Sequence, residues 1–218
     1  MSVAAVFFDV GETLVDESRL WRLWADWLGV PRDAFLDALY AVIARGEHHR
    51  RVFDVVRPDL APFDVDAARR VRAAAGWPED RFTADDVYPD AVPSLRALAE
   101  RGYVVGIAGN QPAWTEAMLR GLDARIDVVA SSERWGVEKP SPAFFAHLAG
   151  SVALPPSAIV YVGDRLDNDV LPALDAGMAG ILLRRGPWGT AHALHPDAAR
   201  ATAIIDGLAE LPNLVGRL

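Results

Sequence analysis

The run Val3-Ala4-Ala5-Val6-Phe7-Phe8 is apolar without interruption and stops at Asp9. β-Branched and aromatic side chains with no polar alternation fit a strand covered on both faces, as in the middle of a parallel sheet. Asp9 then stands at the carboxyl end of a central strand, where open α/β sheets gather their ligands. Gly11, two residues on, permits a sharp turn, and Thr13 can hydrogen-bond within it. Asp and Gly are also ordinary residues at a strand-to-turn boundary, so this stretch alone leaves that plainer reading open.

The texture changes over residues 16–87. Leu20, Leu23, Trp24, Trp27 and Leu28 recur at helical spacing, as do Phe35, Leu36, Leu39, Tyr40 and Ile43, and more weakly Ala67, Val71 and Ala74. Gly29-Val30-Pro31, Gly46, Arg57-Pro58, Ala61-Pro62 and Gly76-Trp77-Pro78 break the pattern into pieces. This stretch reads as an all-helical insert, with Trp24 and Trp27 packing inside it. His48 and His49, beside Arg45, Arg50 and Arg51, fit a solvated helix end or an anion contact.

From Tyr88 onward apolar runs alternate with helical segments. The spacing predicts a helix over 91–101 ended by Gly102, a strand over 103–108 running into Gly109-Asn110-Gln111-Pro112, and a helix over 113–121. A short strand over 127–130, a helix from Pro142 to about Ala149 and a strand over 159–162 follow, the last ending at Gly163-Asp164-Arg165-Leu166-Asp167-Asn168-Asp169. A helix over 170–176, a strand over 180–183 and a strand-helix piece near 203–205 complete the chain. Such alternation implies right-handed crossovers and a parallel sheet, hence an α/β, doubly wound, Rossmann-like core formed by residues 1–15 and 88–218 around the helical insert.

Composition sets the surroundings. The chain has 218 residues, 51% of them hydrophobic, enough to bury a substantial core. No apolar stretch approaches the roughly 20 residues that span a bilayer, and the start lacks the basic region and small-residue cleavage site of a signal peptide. With no cysteine there is no disulfide, thiolate metal site or thiol nucleophile. These features favour a soluble cytoplasmic protein without membrane contact. A net charge of -8 argues against nucleic acid as the main partner, because phosphate backbones are bound by clustered cations.

Of the 22 Lys and Arg residues only Lys139 is a lysine, and it lies in Gly136-Val137-Glu138-Lys139-Pro140-Ser141-Pro142. The prolines make this stretch a loop. A chain that writes every other cation as Arg keeps one compact point charge here. Asp9, Asn110, Lys139, Asp164 and Asp169 all follow strands, so one parallel sheet brings them to a common edge. Clustered carboxylates repel unless a metal neutralises them, and an all-oxygen set favours Mg²⁺. A lysine and N–H donors nearby suit a phosphoryl group, and an aspartate can be the nucleophile that takes it up. Asn110 before Gln-Pro also fits turn chemistry, and Asp164 after Gly163 also fits a helix cap. Asp167 reads as solvent-facing.

With these residues in place, the whole chain resembles the haloacid dehalogenase superfamily, whose members are mostly Mg²⁺-dependent phosphohydrolases. The resemblance rests on the strand ending in Asp9, the strand ending near Asn110, the lysine before a proline, and the GDxxxxD pattern from Gly163-Asp164 to Asp169. It implies that residues 16–87 are a small helical cap and that Asp9 is the nucleophile, passing through an aspartyl-phosphate. It further implies that Lys139 stabilises the charged intermediate, that Gly109, Asn110 and Lys139 hold the phosphate, and that Asp9, the Gly11 carbonyl, Asp164 and Asp169 hold Mg²⁺. The substrate implied is a small phosphorylated metabolite.

Two positions depart from the family pattern. Phosphatases of the superfamily carry DxDxT, with the second Asp as general acid and base, whereas this chain has Gly11 there. Glycine retains the backbone carbonyl that binds metal but not the proton-transfer group, which is worth about 10²–10⁴-fold in rate. Glu12, or His48 or His49 of the insert, are candidates for that role. The second departure is Gly109-Asn110, where the family usually has Ser or Thr before Asn, so one hydroxyl contact to phosphate is lost. Three alternatives remain open beside a phosphatase. They are dehalogenase chemistry, against which Gly11 replaces the aromatic residue of those enzymes; phosphonate cleavage, against which the insert has no lysine; and a binding protein with catalysis lost.

Overall fold

The structure is a computed structural model and describes residues 2–218. Six strands form one sheet: β1 (Ala5–Phe8), β2 (Val104–Gly109), β3 (Val128–Ser131), β4 (Ile159–Gly163), β5 (Ala179–Leu183) and β6 (Ala203–Ile205). Their order is β3-β2-β1-β4-β5-β6, and every neighbouring pair is parallel. The sheet is therefore doubly wound, with the chain reversing direction across β1. All four residues of β1 are fully buried, as its unbroken apolar run requires.

Register follows from the packing. Phe7 pairs with Gly106 on one side and Tyr161 on the other. A Cβ at position 106 would run into the Phe7 ring, so glycine in the middle of β2 is the space that the aromatic ring occupies. One face of the sheet carries Phe7 and Tyr161, and helix Pro142–Val152 covers it with Phe144, Phe145 and Leu148. Phe145 meets Tyr161 edge-on at 5.5 Å between ring centroids.

The chain divides into two compact units, residues 1–16 with 87–218 and residues 17–86. The second unit contains helices Ser18–Leu28, Arg32–Ala44, Arg51–Val56 and Val65–Ala74. Its interior is aromatic: Trp24, 3% exposed, meets Phe53 edge-on at 4.9 Å, and Phe53 stacks on Phe63 at 4.8 Å. Trp24 is thus a core residue. Arg72 lies with its guanidinium 4.2 Å from the Trp24 ring centre, and Arg19 clasps Asp86 through two 2.6 Å bonds that join the ends of the unit. His48 accepts the Arg50 N–H at 3.2 Å ahead of helix Arg51–Val56, and His49 meets Trp21 edge-on.

Two local features differ from the sequence reading. Residues 166–170, for which no helix was expected, form a π-helical turn that runs into the helix Leu171–Asp175, which lies within the helix expected over 170–176. A helix at Gly186–His192 was not expected at all, because Gly186, Pro187 and Gly189 read as breakers. Pro187 sits at its first turn, where a missing N–H costs nothing, and a Cβ at Gly189 would collide with the Leu183 carbonyl.

Candidate active site

The apolar runs that make the strands also set where they end. β1 delivers Asp9, whose own N–H donates to the Val162 carbonyl of β4 at 2.9 Å. β2 delivers Gly109 and Asn110, and β4 delivers Gly163 and Asp164. Arg165 leads from Asp164 into the π-helical turn Leu166–Val170, which carries Asp169. Such turns are frequent at functional sites.

Lys139 closes the group. Its ammonium donates to Asp9 Oδ1 at 2.7 Å and to Asp169 Oδ1 at 2.5 Å, and it stands 5.3 Å from the Tyr161 ring centre. The lone lysine is 3% exposed, so it is no surface residue that drifted. Burial pulls its pKa down, but Asp169 and Asp9 outweigh that and hold it well above the ordinary lysine value. Its partner Asp169 is fully buried, accepts the Arg165 N–H at 2.9 Å, and is pushed up to about 6 by burial with Lys139 pulling the other way. Gly163 lacks a Cβ because one would strike the Asp169 carboxylate.

Asp9, Asp164 and Asp169 each bring a carboxylate oxygen within 4.8 Å of the others. Asp164 is 2% exposed, and among the described residues no side-chain or backbone donor bonds its carboxylate. Burial, then the charges of Asp169, Asp9 and Glu12, push its pKa well above the ordinary carboxylate range. Three buried carboxylates against one ammonium leave an excess of negative charge that a divalent cation fits, and the donors are hard oxygens of the kind Mg²⁺ takes.

The turn after Asp9 is closed by its backbone. The Val10 carbonyl accepts from the N–H groups of Thr13, Leu14 and Val15. The expected hydrogen bond of Thr13 within this turn is made by its N–H and not its hydroxyl, which is buried without a partner among the described residues. The N–H groups of Val10, Gly11 and Asn110 have no acceptor among the described residues. Glu12 adopts φ 52°, the left-handed region that favours glycine, and is 5% exposed. Its Oε2 accepts the Tyr88 hydroxyl at 2.7 Å. Arg185 lies over the Tyr88 ring at 4.1 Å, donates to the Thr13 carbonyl at 3.1 Å and bonds Asp90. Burial first, then the Glu12 charge, hold the Tyr88 phenol far above its ordinary pKa, so it stays a donor.

The structure thus brings Asp9, Lys139, Asp164 and Asp169 together. It joins Asn110 to them through the Lys139 backbone: Oδ1 accepts the Lys139 N–H at 2.7 Å and Nδ2 donates to the Lys139 carbonyl at 2.9 Å. Gly109 is packed against Asp9, since a Cβ there would stand 2.5 Å from Asp9 Oδ1. Asp167 faces outward, as expected, paired with Arg165 at 2.7 Å. Tyr88 and Arg185 were not singled out from sequence. Tyr88 follows Val87 with no motif around it, and the only signal was its place at the start of the second α/β stretch.

Comparison with known proteins agrees with this geometry. Residues 3–177 match the haloacid dehalogenase-like hydrolase family. Glyceraldehyde 3-phosphate phosphatase of Methanopyrus kandleri is 32% identical over 204 residues, covering 85% of this chain and 86% of that protein. Phosphoglycolate phosphatase of Rhodospirillum rubrum is 32% identical over 165 residues, covering 73% of this chain and 66% of that protein. A dehalogenase crystal structure superposes with a TM-score of 0.69 at 19% identity, covering 99% of this chain and 98% of that one, which extends the likeness in fold to a different chemistry. The strand ends, the buried lysine and these matches lead to one assignment: the chain belongs to the haloacid dehalogenase-like hydrolases.

Proposed function

We propose that this hydrolase is a Mg²⁺-dependent phosphatase of a small phosphorylated metabolite, with Asp9 as nucleophile. The observation that carries the reading is the buried contact of Lys139 with Asp9 and Asp169 beside the bare carboxylate of Asp164. Asp9, the Gly11 carbonyl and Asp164, with Asp169 behind, would hold the ion, which when bound offsets the carboxylate charge and that of the phosphoryl oxygens.

Asp9 Oδ attacks phosphorus, the P–O bond to the substrate alcohol breaks, and water later cleaves the Asp9–phosphate bond. Lys139, fixed by two carboxylates, keeps a cation where the phosphoryl charge develops. The free N–H groups of Val10, Gly11 and Asn110 supply donors for the phosphoryl oxygens. Residues 17–86 act as the cap. The phosphatase names of the relatives from M. kandleri and R. rubrum support a small phosphorylated substrate here as well. Among the described residues no helix is long and apolar enough to cross a membrane, and the chain has no cysteine and a net charge of -8, which supports a cytoplasmic location with neither membrane nor nucleic acid as partner.

The test is hydrolysis of an aryl phosphate by the native chain and by Asp9→Asn, with Mg²⁺ and with a chelator. Release that requires both Asp9 and Mg²⁺ is the expected result. Release that survives either removal contradicts the reading, and no release from the native chain would favour a different bond or a binding role.

A further inference from the structure

The two halves of the Asn110 amide are spent on one residue, Lys139, taking its N–H at 2.7 Å and its carbonyl at 2.9 Å. Among the described residues, these are the only hydrogen bonds made by the Lys139 backbone. The loop around it is tied within itself by Val137 N–H to Ser132 and Ser141 N–H to Glu138, and neither bond reaches the sheet. Asn110 directly follows β2, which is paired on both sides, so its backbone has the register of the sheet. A paired amide transfers that register to a loop that has no strand of its own.

At its other end Lys139 is held by Asp9 and Asp169 through its ammonium. A lysine reaches its target through four flexible carbons, so the position of its Cα decides whether the tip stands between the two carboxylates or beside them. We infer that Asn110 is a positioning residue that acts through Lys139, setting where the ammonium meets Asp9, and that its side-chain amide is not a phosphate ligand. The inference rests on the phosphatase reading of the site and revises the expected role of this side chain. Asn110 itself is exposed, so its replacement leaves the core intact.

A double-mutant cycle on aryl phosphate hydrolysis with Mg²⁺ tests it, using Asn110→Ala, Lys139→Ala and the double variant. Loss of two hydrogen bonds is expected to lower kcat roughly 10-fold to 100-fold with KM little changed. In the Lys139→Ala background the same change should cost nothing further, because the two residues act as one unit. Losses that multiply, or an Asn110→Ala variant with raised KM and native kcat, would overturn the inference and return the amide to the phosphate. If the native chain releases no phosphate, it is the phosphatase reading that has failed. The inference is then read from amide hydrogen exchange. Lys139 N–H should exchange faster in Asn110→Ala while Asp9 N–H does not, and unchanged exchange at Lys139 would contradict it.

Discussion

Gly109 shows how one missing atom shapes the site. Superfamily members usually place a hydroxyl residue there, yet a Cβ at this position would stand 2.5 Å from Asp9 Oδ1, closer than unbonded atoms approach. The glycine is therefore fitted to this arrangement of Asp9. Gly109→Ser, which restores the usual residue, should lower the rate of aryl phosphate hydrolysis at least about tenfold by displacing Asp9, the proposed nucleophile. A rate equal to or above native would show that Asp9 moves aside freely. Gly11 has the complementary consequence. The neighbouring carboxylate of Glu12 is taken by the Tyr88 hydroxyl, so no carboxylate stands at position 11 to give the leaving alcohol a proton. Rates across a series of aryl phosphates should then fall steeply as the leaving phenol becomes more basic, by up to about 10²–10⁴-fold over the series. A flat series would mean that another group supplies the proton.

Among the elements, the turn that follows Asp164 and carries Asp169 depends on a helix hidden in the sequence. His192, at the end of helix Gly186–His192, accepts the Leu166 N–H at Nδ1 at 2.8 Å. Burial lowers its pKa, with Asp167 acting the other way and Arg165 and His195 adding to the fall. The unfolded imidazole titrates near 6.5, so its neutral form contributes stability that is complete above about pH 6.5 and is lost as pH falls through the lower folded value. His192→Asn keeps an acceptor but cannot take up a proton. Its denaturation midpoint should lose the part of the acid slope below about pH 6.5 that the native chain owes to this imidazole, and an identical slope would rule out this contribution.

The same elements show what could be read in advance. Asp9 and Asp164 were legible because strand-forming runs stop at them, Asp169 because of its spacing from Asp164 in GDxxxxD, and Lys139 because one lysine stood out among arginines. The pairing of Glu12 with Tyr88, 76 residues apart, was not, since no periodicity encodes a contact between loops. Nor was the pairing of Asn110 with the Lys139 backbone, because turn chemistry and ligand chemistry use the same side chain. The helix at Gly186–His192 was lost to its own glycines, which serve close packing and a positive φ.

At the scale of the molecule, a parallel sheet reversing at β1 gathers three buried carboxylates and one lysine from segments that span residues 9 to 169. Each is costly to bury alone and tolerable only in company. That such a group sits at the sheet's carboxyl edge argues for chemistry at Asp9 rather than for structural support. The most direct test is to quench a turnover mixture of the Mg²⁺-loaded protein and an aryl phosphate in acid and to map the modified peptide by mass spectrometry. A phosphoryl group is expected on the peptide that contains Asp9, and none on that peptide of Asp9→Asn. Phosphate release by the native chain with no phosphoryl group on that peptide, or with the group on another residue, would contradict it.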